Sequence, residues 1–158
     1  QVKVKIYIDA DAIPNPLRDI LFRAAEKNSI HTVLVANQRI KIPRSEYISA
    51  MEVKAGPDEA DDAIVELLDA GDVVITADIP LADRVISGGG FVINHRGDLL
   101  TAENIKERLT MRNLTDELRS IGVDTGGPSP LSQRDRQEFA NQLDRFLTRH
   151  YRKNSGGN

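Results

Sequence analysis

Apolar positions along this chain change their period repeatedly, and each change marks an element. Val2 to Ile8 alternates, is β-branched and runs into Asp9, which predicts a strand. At Asn15-Pro16 the period becomes helical. Leu17, Ile20, Leu21 and Ala24 form a stripe, with Asn15 as N-cap and Pro16 as the first helical residue, and Asn28-Ser29 closes it. Thr32 to Ala36 predicts a short buried strand. Asn37 to Ser45 is a polar, basic connection holding Pro43, and Tyr47 to Val53 predicts a further strand suited to a sheet edge. A helix is expected from Asp58 or Glu59 to Ala70, stopping at Gly71. Val73 to Thr76 has no polar alternation, as in a parallel strand covered on both faces. A helix from Ile79 to Ile86 carries Pro80 in its first turn, Gly88-Gly89-Gly90 breaks it, and Phe91 to Asn94 predicts another strand.

The remainder is helical. Thr101 with Asn104 opens a run from Ala102 to Ile121 with apolar positions at Ile105, Leu109, Leu114 and Leu118. Gly122 to Pro130 is a Gly/Pro-rich connector. Ser132 caps a helix from Gln133 to His150 with a stripe of Phe139, Leu143, Phe146 and Leu147, and Ser155 to Asn158 reads as a frayed tail. There is no internal repeat. Strands alternating with helices predict an α/β fold with a mostly parallel sheet. The domain plan is an α/β body over residues 1–121, a connector over 122–131, and a C-terminal helix over 132–152 that packs on the same body or on a second copy.

Composition narrows this picture. A chain of 158 residues has room for one domain with a core, and the scarcity of aromatics predicts a core of Ile, Leu, Val and Ala. With no Cys there is no disulfide framework, thiolate zinc site or Cys nucleophile. No apolar run approaches a membrane span, and the N-terminus opens in a strand pattern rather than a signal peptide. A cytoplasmic protein with no membrane partner is expected. Gln1 is not an initiator Met, so one or more preceding residues are expected to be missing from the sequence. A net charge of −3 argues against broad coating of nucleic acid.

The charge distribution says more than its sum. Gly56-Pro57-Asp58-Glu59-Ala60-Asp61-Asp62 crowds four carboxylates together, and no Lys or Arg follows until past Asp83. On a helix starting near Asp58, the residues Asp58, Asp61 and Asp62 are related by i, i+3 and i+4. A helix N-terminus accounts for one or two of them through the macrodipole, with Asp58 chiefly the cap. In an open parallel sheet, ligands bind at the carboxyl ends of strands. Asp9 and Asp11 follow the first strand and Asp78 follows Val73 to Thr76. A crossover from Tyr47–Val53 would bring the acidic run to the same end. Individually, Asp9 and Asp11 also suit a turn, Asp78 a helix cap, and Asp83 a solvated surface. Together, Asp9, Glu59, Asp61, Asp62 and Asp78 suit a Mg²⁺ or Mn²⁺ site, with Asp9, Asp61, Asp62 and Asp78 catalytic and Asp11, Asp58 and Asp83 behind them. The matching chemistry is attack of an activated water on a phosphate ester.

Glu59-Ala60-Asp61-Asp62 followed by Ile75-Thr76-Ala77-Asp78 resembles the paired acidic motifs of bacterial 5′-nuclease domains and, more broadly, the PIN superfamily. Across nearly the whole chain, Asp9-Ala10-Asp11-Ala12, Gly56 to Asp62, Thr76-Ala77-Asp78-Ile79-Pro80-Leu81-Ala82 and Asn94-His95-Arg96-Gly97 resemble the YaiI/YqxD family. Gly126-Gly127-Pro128, Asp135-Arg136 and Phe139-Ala140 fit it as well. That is a bacterial family of PIN-like proteins without a firmly assigned function. The resemblance implies a PIN-like three-layer sandwich with C-terminal helices, and a metal-dependent nuclease. Two departures stand out. Pro80 occupies the position of a second Asp in the 5′-nucleases, and a helical arch has no counterpart. Ile13 also stands where the family often has Cys.

Other groups are candidates for phosphate contacts. Asn37, Arg39, Lys41 and Arg44 lie in one basic loop, and His95 and Arg96 follow the last strand. Each also reads as a solvated loop or a plain turn. The leading function is a phosphodiesterase acting on single-stranded or structured RNA, preferred over DNA. One alternative is a PIN-like module that binds RNA or protein with little turnover. Another is a phosphatase of the haloacid-dehalogenase type, with Asp9 and Asp11 as nucleophile and acid/base and Thr76 as phosphate contact. A homodimer is compatible with the apolar stripe of the C-terminal helix.

Overall fold

Six short strands form one sheet in the computed structural model, which describes residues 4–126 and 130–152. β1 (Ile6–Asp9) is central. β2 (Thr32–Ala36) and β3 (Ile48–Glu52) extend the sheet on one side, and β4 (Val73–Ile75), β5 (Phe91–Ile93) and β6 (Leu99–Leu100) on the other. The order is β3-β2-β1-β4-β5-β6, and every pair is parallel except β5 with β6. The chain winds outward from β1 to β3, then crosses back to start again at β4. The direction of winding therefore reverses between β1 and β4, which leaves a crevice beyond their carboxyl ends.

Helices cover both faces. α1 (Asn15–Asn28) and α5 (Gln133–Phe146) lie on one side. α2 (Glu59–Leu67), α3 (Ile79–Ser87) and α4 (Ala102–Ser120) lie on the other. Strand alternation supplies each layer with its own core. Ile6, Ile8, Ile75 and Ile93 point towards α1 and α5, whereas Tyr7, Val35, Val74 and Val92 point towards α2, α3 and α4. The result is the expected three-layer α/β sandwich of PIN-like type. Phe139, Leu143 and Phe146 of α5 are buried in the body's own core.

Several boundaries differ from the hydrophobic pattern for identifiable reasons. The first strand was expected from Val2, but residues 1–3 lie outside the described set and pairing begins at Ile6. Ahead of it, the Lys5 amide is held by the side chain of Asp72 instead of by a ladder partner (3.0 Å). Helix α1 starts one residue early, with Pro14 rather than Asn15 at the cap position and no side-chain cap. Helix α2 stops at Leu67, not Ala70. Leu68 turns extended, the Leu67 carbonyl accepts from the Tyr7 hydroxyl, and the Asp69 amide donates to Asp72. β6 is two residues long, too short to leave a periodic signature. The last helix passes from α to π geometry at Leu147–Arg152. The expected features at Gly127-Pro128 and Ser155–Asn158 lie outside the described residues.

α4 rises beside α3 and outruns it. The hairpin brings Leu100 level with Val92, so α4 starts near the amino end of the sheet, where α3 finishes. α3 has nine residues and α4 has 19, so the difference projects roughly 15 Å past the start of α3. Burial agrees, since Ile105 is enclosed and exposure begins near Met111. No described helix is long and apolar enough to cross a membrane.

Candidate functional site

Three of the expected acids meet at the crevice between β1 and β4. Asp9 ends β1. Its Oδ2 accepts a hydrogen bond from the hydroxyl of the buried Thr76 (2.9 Å). The same hydroxyl accepts from the Asp78 amide (3.0 Å), and Asp78 Oδ1 caps α3 by accepting from the Leu81 amide (3.0 Å). Thr76 thus fixes one acid by its side chain and the next by its backbone. Asp61, in the first turn of α2, lies close enough to feel the charges of both.

Electrostatics ties the three together. Burial, followed by the charges of Asp78 and Asp9, pushes the Asp61 carboxyl up to about 6, and Arg84 only partly offsets this. Asp9 is also raised, first by burial and further by Asp78 and Asp11, against the lowering bond from Thr76. Among the described residues none of the three is in an ion pair. Hard carboxylate oxygens are the donor type such a divalent ion selects. Spacing is a separate matter. No group of three or more His, Cys, Asp or Glu among the described residues stands gathered around a point where an ion would sit. The trio fits such an ion in chemistry and coupling, and its side chains would have to draw together to hold one.

The other members of the acidic run diverge. Asp62 faces outward and pairs with Arg84 (2.9 Å), so the run lacks a cation in sequence but has one in space. Asp58 occupies the α2 cap position without a side-chain cap bond, although its carbonyl accepts from the Asp62 amide (2.8 Å). Glu59 is exposed and folds back towards Gly56. Asp83 lies part-exposed on α3. Asp11 takes the Asn37 amide on both carboxylate oxygens (3.2 and 2.9 Å). It therefore ties the basic loop to the segment that follows Asp9.

A family model described as an uncharacterised group, the YaiI/YqxD family, matches residues 7–149. The chain belongs to this family. The UPF0178 protein of Syntrophotalea carbinolica is 56% identical over 147 residues, which cover 93% of this chain and 99% of that protein. Those of Shewanella amazonensis (53% over 146 residues, covering 92% and 98%) and Dechloromonas aromatica (55% over 146 residues, covering 92% and 97%) are similar in extent. The name UPF0178 carries no activity. No solved structure matches the chain.

Within this YaiI/YqxD fold the basic loop and the Asn94-His95-Arg96-Gly97 turn do different things. In the loop, Ile40 and Ile42 pack on the core, which turns Arg39 and Lys41 outward, and Arg44 is exposed. In the turn, Asn94 Oδ1 accepts from the Arg96 and Asp98 amides (3.0 and 2.9 Å). Arg96 pairs with Asp135, the capping-box residue of α5. Gly97 has φ +87°, and a Cβ there would lie 2.6 Å from the Glu138 backbone. This turn clasps α5, and Arg96 is one of its ties to that helix. His95 is mostly buried, its pKa is lowered by burial and by Arg96, and among the described residues its Nε2 has no hydrogen-bond partner.

Sequence reasoning gave Thr76 only a phosphate contact in the phosphatase alternative and passed over Asp72. Thr76 orients both Asp9 and Asp78, and a hydroxyl ending an otherwise apolar strand beside an Asp is the signal that could have found it. Asp72 is fully buried at the opposite end of the sheet. It accepts from the Lys5 and Asp69 amides and faces the Lys5 ammonium (3.3 Å). A carboxylate directly ahead of an apolar strand was its signal.

Proposed function

We propose that the crevice between β1 and β4 binds Mg²⁺ or Mn²⁺ and hydrolyses phosphodiesters, with single-stranded RNA as the substrate class. The observation that supports this is the raised carboxyls of Asp9 and Asp61, both facing the charge of Asp78 at the winding reversal, with no ion pair among the described residues to neutralise them. Asp9 and Asp78, held by Thr76, and Asp61 would supply the oxygen ligands. A bound divalent ion supplies charge neutralisation at the phosphate and lowers the pKa of the attacking water. An ion bound there would offset the repulsion that raises the Asp61 carboxyl and hold it ionised as a ligand. Arg39 and Lys41, exposed on the loop that Asp11 anchors, would supply contacts to backbone phosphates. A single strand needs no wide duplex platform, which favours RNA in this form over duplex DNA.

A second reading, a PIN-like binding module with little turnover, has its own support. The acids are not preassembled around one point, and Asp62 is held by Arg84. The phosphatase reading is weakened, because the Thr76 hydroxyl it needs is engaged with Asp9 and Asp78.

One experiment separates these readings. Purified protein is incubated with mixed single-stranded and structured RNA and DNA plus Mn²⁺, alongside Asp78→Asn, and melting is followed with and without metal. The nuclease reading expects metal-dependent RNA cleavage and a raised Tm, both lost in Asp78→Asn. A metal-dependent Tm rise without cleavage supports the binding module. Absence of any Tm shift, or cleavage that survives in Asp78→Asn, refutes the site.

A further inference from the structure

An open groove of about 620 Å³ lies between α1 and the basic loop, at the edge of the sheet. That volume is in the range of small-ligand sites. Phe22, Pro43 and Ile48 give it an apolar floor, and Arg23, Lys27 and Arg44 give it a cationic rim. Glu26 is the one acid lining it, and the Ser45 hydroxyl donates to that carboxylate.

The basic loop connects this groove to the acidic crevice. From Arg39 to Pro43, exposed and part-buried residues alternate with the period of an extended chain. Ile40 and Ile42 pack inward on the core, which leaves Arg39, Lys41 and Pro43 facing out. The loop starts at Asn37, held by Asp11 beside the crevice. It ends ahead of Ile48, which is level with Thr32 at the amino end of β2. It thus descends beside α1 for the length of β2, about 15 Å. Arg18 stands one turn ahead of Phe22 on the same flank of α1. Its Nε is buried and has no hydrogen-bond partner among the described residues.

Charge argues for the occupant. Residues 15–46 hold six Lys and Arg against three Asp and Glu, in a chain of net charge −3. Among the described residues none of these six cations is in an ion pair, whereas Arg84, Arg96, Arg108 and Arg112 each have a carboxylate partner. An apolar floor inside an unneutralised cationic rim matches a flat ring carried on an anionic backbone. A lone nucleotide would use the rim only. Lys41 and Arg39 continue the cations towards the crevice, which suits a strand.

We propose that the groove takes a base of single-stranded RNA, stacked on Phe22, with the adjacent phosphates on Arg23 and Arg44 and the strand following Lys41 and Arg39 to the crevice. The identity of the strand rests on the RNA reading of that crevice. A base can enter only when unpaired, so a duplex is excluded. The groove lies a sheet length from the acids, so it holds the strand without touching the phosphate to be cleaved.

Fluorescence anisotropy with a labelled oligouridine, in EDTA, tests this without turnover. An abasic ribose-phosphate strand of equal length should bind wild type roughly tenfold more weakly. Phe22→Leu, which keeps an apolar contact but has no ring, should bind both strands equally, at the abasic level. Arg44→Ala, at an exposed position, should weaken both strands and lower the slope of log affinity against log salt by about 0.7. The Mn²⁺-dependent rise in Tm, which reads the crevice, should be as large in Phe22→Leu as in wild type, so the two sites can fail separately. Groove-dependent binding without any metal response would uphold the groove and refute only the crevice. Equal binding of oligouridine and the abasic strand by wild type would overturn the proposal, and this comparison needs no variant to fold. An Arg44→Ala slope equal to that of wild type would overturn it too. So would displacement of the strand by uridine monophosphate, an acidic peptide or duplex RNA as readily as by unlabelled oligouridine.

Discussion

Asp61 is held where its charge is unwelcome, and replacing it should stabilise the metal-free protein. Its pKa rises from 3.8 to about 6, which is about 3 kcal/mol if taken at face value. Asp61 is part-exposed, and solvent screening reduces this to about 1 kcal/mol. The sign follows from proton binding. Below about pH 4 the carboxyl is protonated in both folded and unfolded chains and contributes nothing. Between about pH 4 and 6 the folded state holds the extra proton, so stability falls as pH rises, and above about 6 the full penalty applies. Asn at this position never ionises, and among the described residues Asp61 accepts no hydrogen bond that Asn would forfeit. Asp61→Asn should therefore gain about 1 kcal/mol at neutral pH in EDTA, a Tm rise of about 2–4 °C. The gain should shrink between about pH 6 and 4 and vanish below that range. Urea and thermal unfolding across a pH series would measure it. With Mn²⁺ added the order should invert, since only wild type keeps the full ligand set. A destabilised Asn variant in EDTA, or a gain that persists undiminished at about pH 4, would refute the argument that burial and the neighbouring carboxylates strain this residue.

Three further outcomes are expected. Thr76→Val strips Asp9 of its donor and the Asp78 amide of its acceptor, so it should lose about 1–3 kcal/mol in urea unfolding and raise the Asp9 pKa further, whereas Thr76→Ser should behave as wild type. Gly97→Ala drives a Cβ into the Glu138–Phe139 backbone at a positive φ, and about 2–4 kcal/mol should be lost, with faster hydrogen exchange in α5 than in the central strands. Asp72→Ala leaves two amides and the Lys5 ammonium without their buried acceptor. It should cost about 3 kcal/mol, seen as a Tm drop of roughly 6–12 °C.

The layers of the fold were legible because the chain spells them with period alone. Val73-Val74-Ile75 carries no polar residue, which is what a strand enclosed by two helical layers requires, and the stripe of α5 correctly announced a buried face. Where expectation and structure part, a non-local bond decided the matter. No Gly or Pro at Leu68 stops α2 there. The stop comes from Tyr7, 60 residues away, taking the Leu67 carbonyl, and from Asp72 drawing the Asp69 amide aside. The end-to-end contact of Gly97 with α5 is likewise invisible in a linear reading, because a turn glycine looks the same whether its missing Cβ faces solvent or another backbone.

The acidic run shows the same division at the level of single residues. Asp58, Asp61 and Asp62 share a helix face only loosely, since consecutive residues on a helix point about 100° apart. Asp61 and Asp62 accordingly take different neighbours in this structure. Once β1 and β4 fix the crevice, Asp61 is the residue turned towards Asp9 and Asp78, and Asp62 is swung to the side where Arg84 waits one helix away. Spacing in sequence could nominate the pair but could not rank them, because the ranking depends on how α2 is rotated against the sheet. That rotation is set by Ile64, the one fully buried residue of α2, seated among Tyr7, Val74 and Leu81. Ile64 lies three residues beyond Asp61, so burying it brings Asp61 round to the crevice. A substitution that disturbs Ile64 should thus move the Asp61 carboxyl out of the trio while leaving all three acids chemically intact, which makes the packing of one isoleucine part of the acidic site.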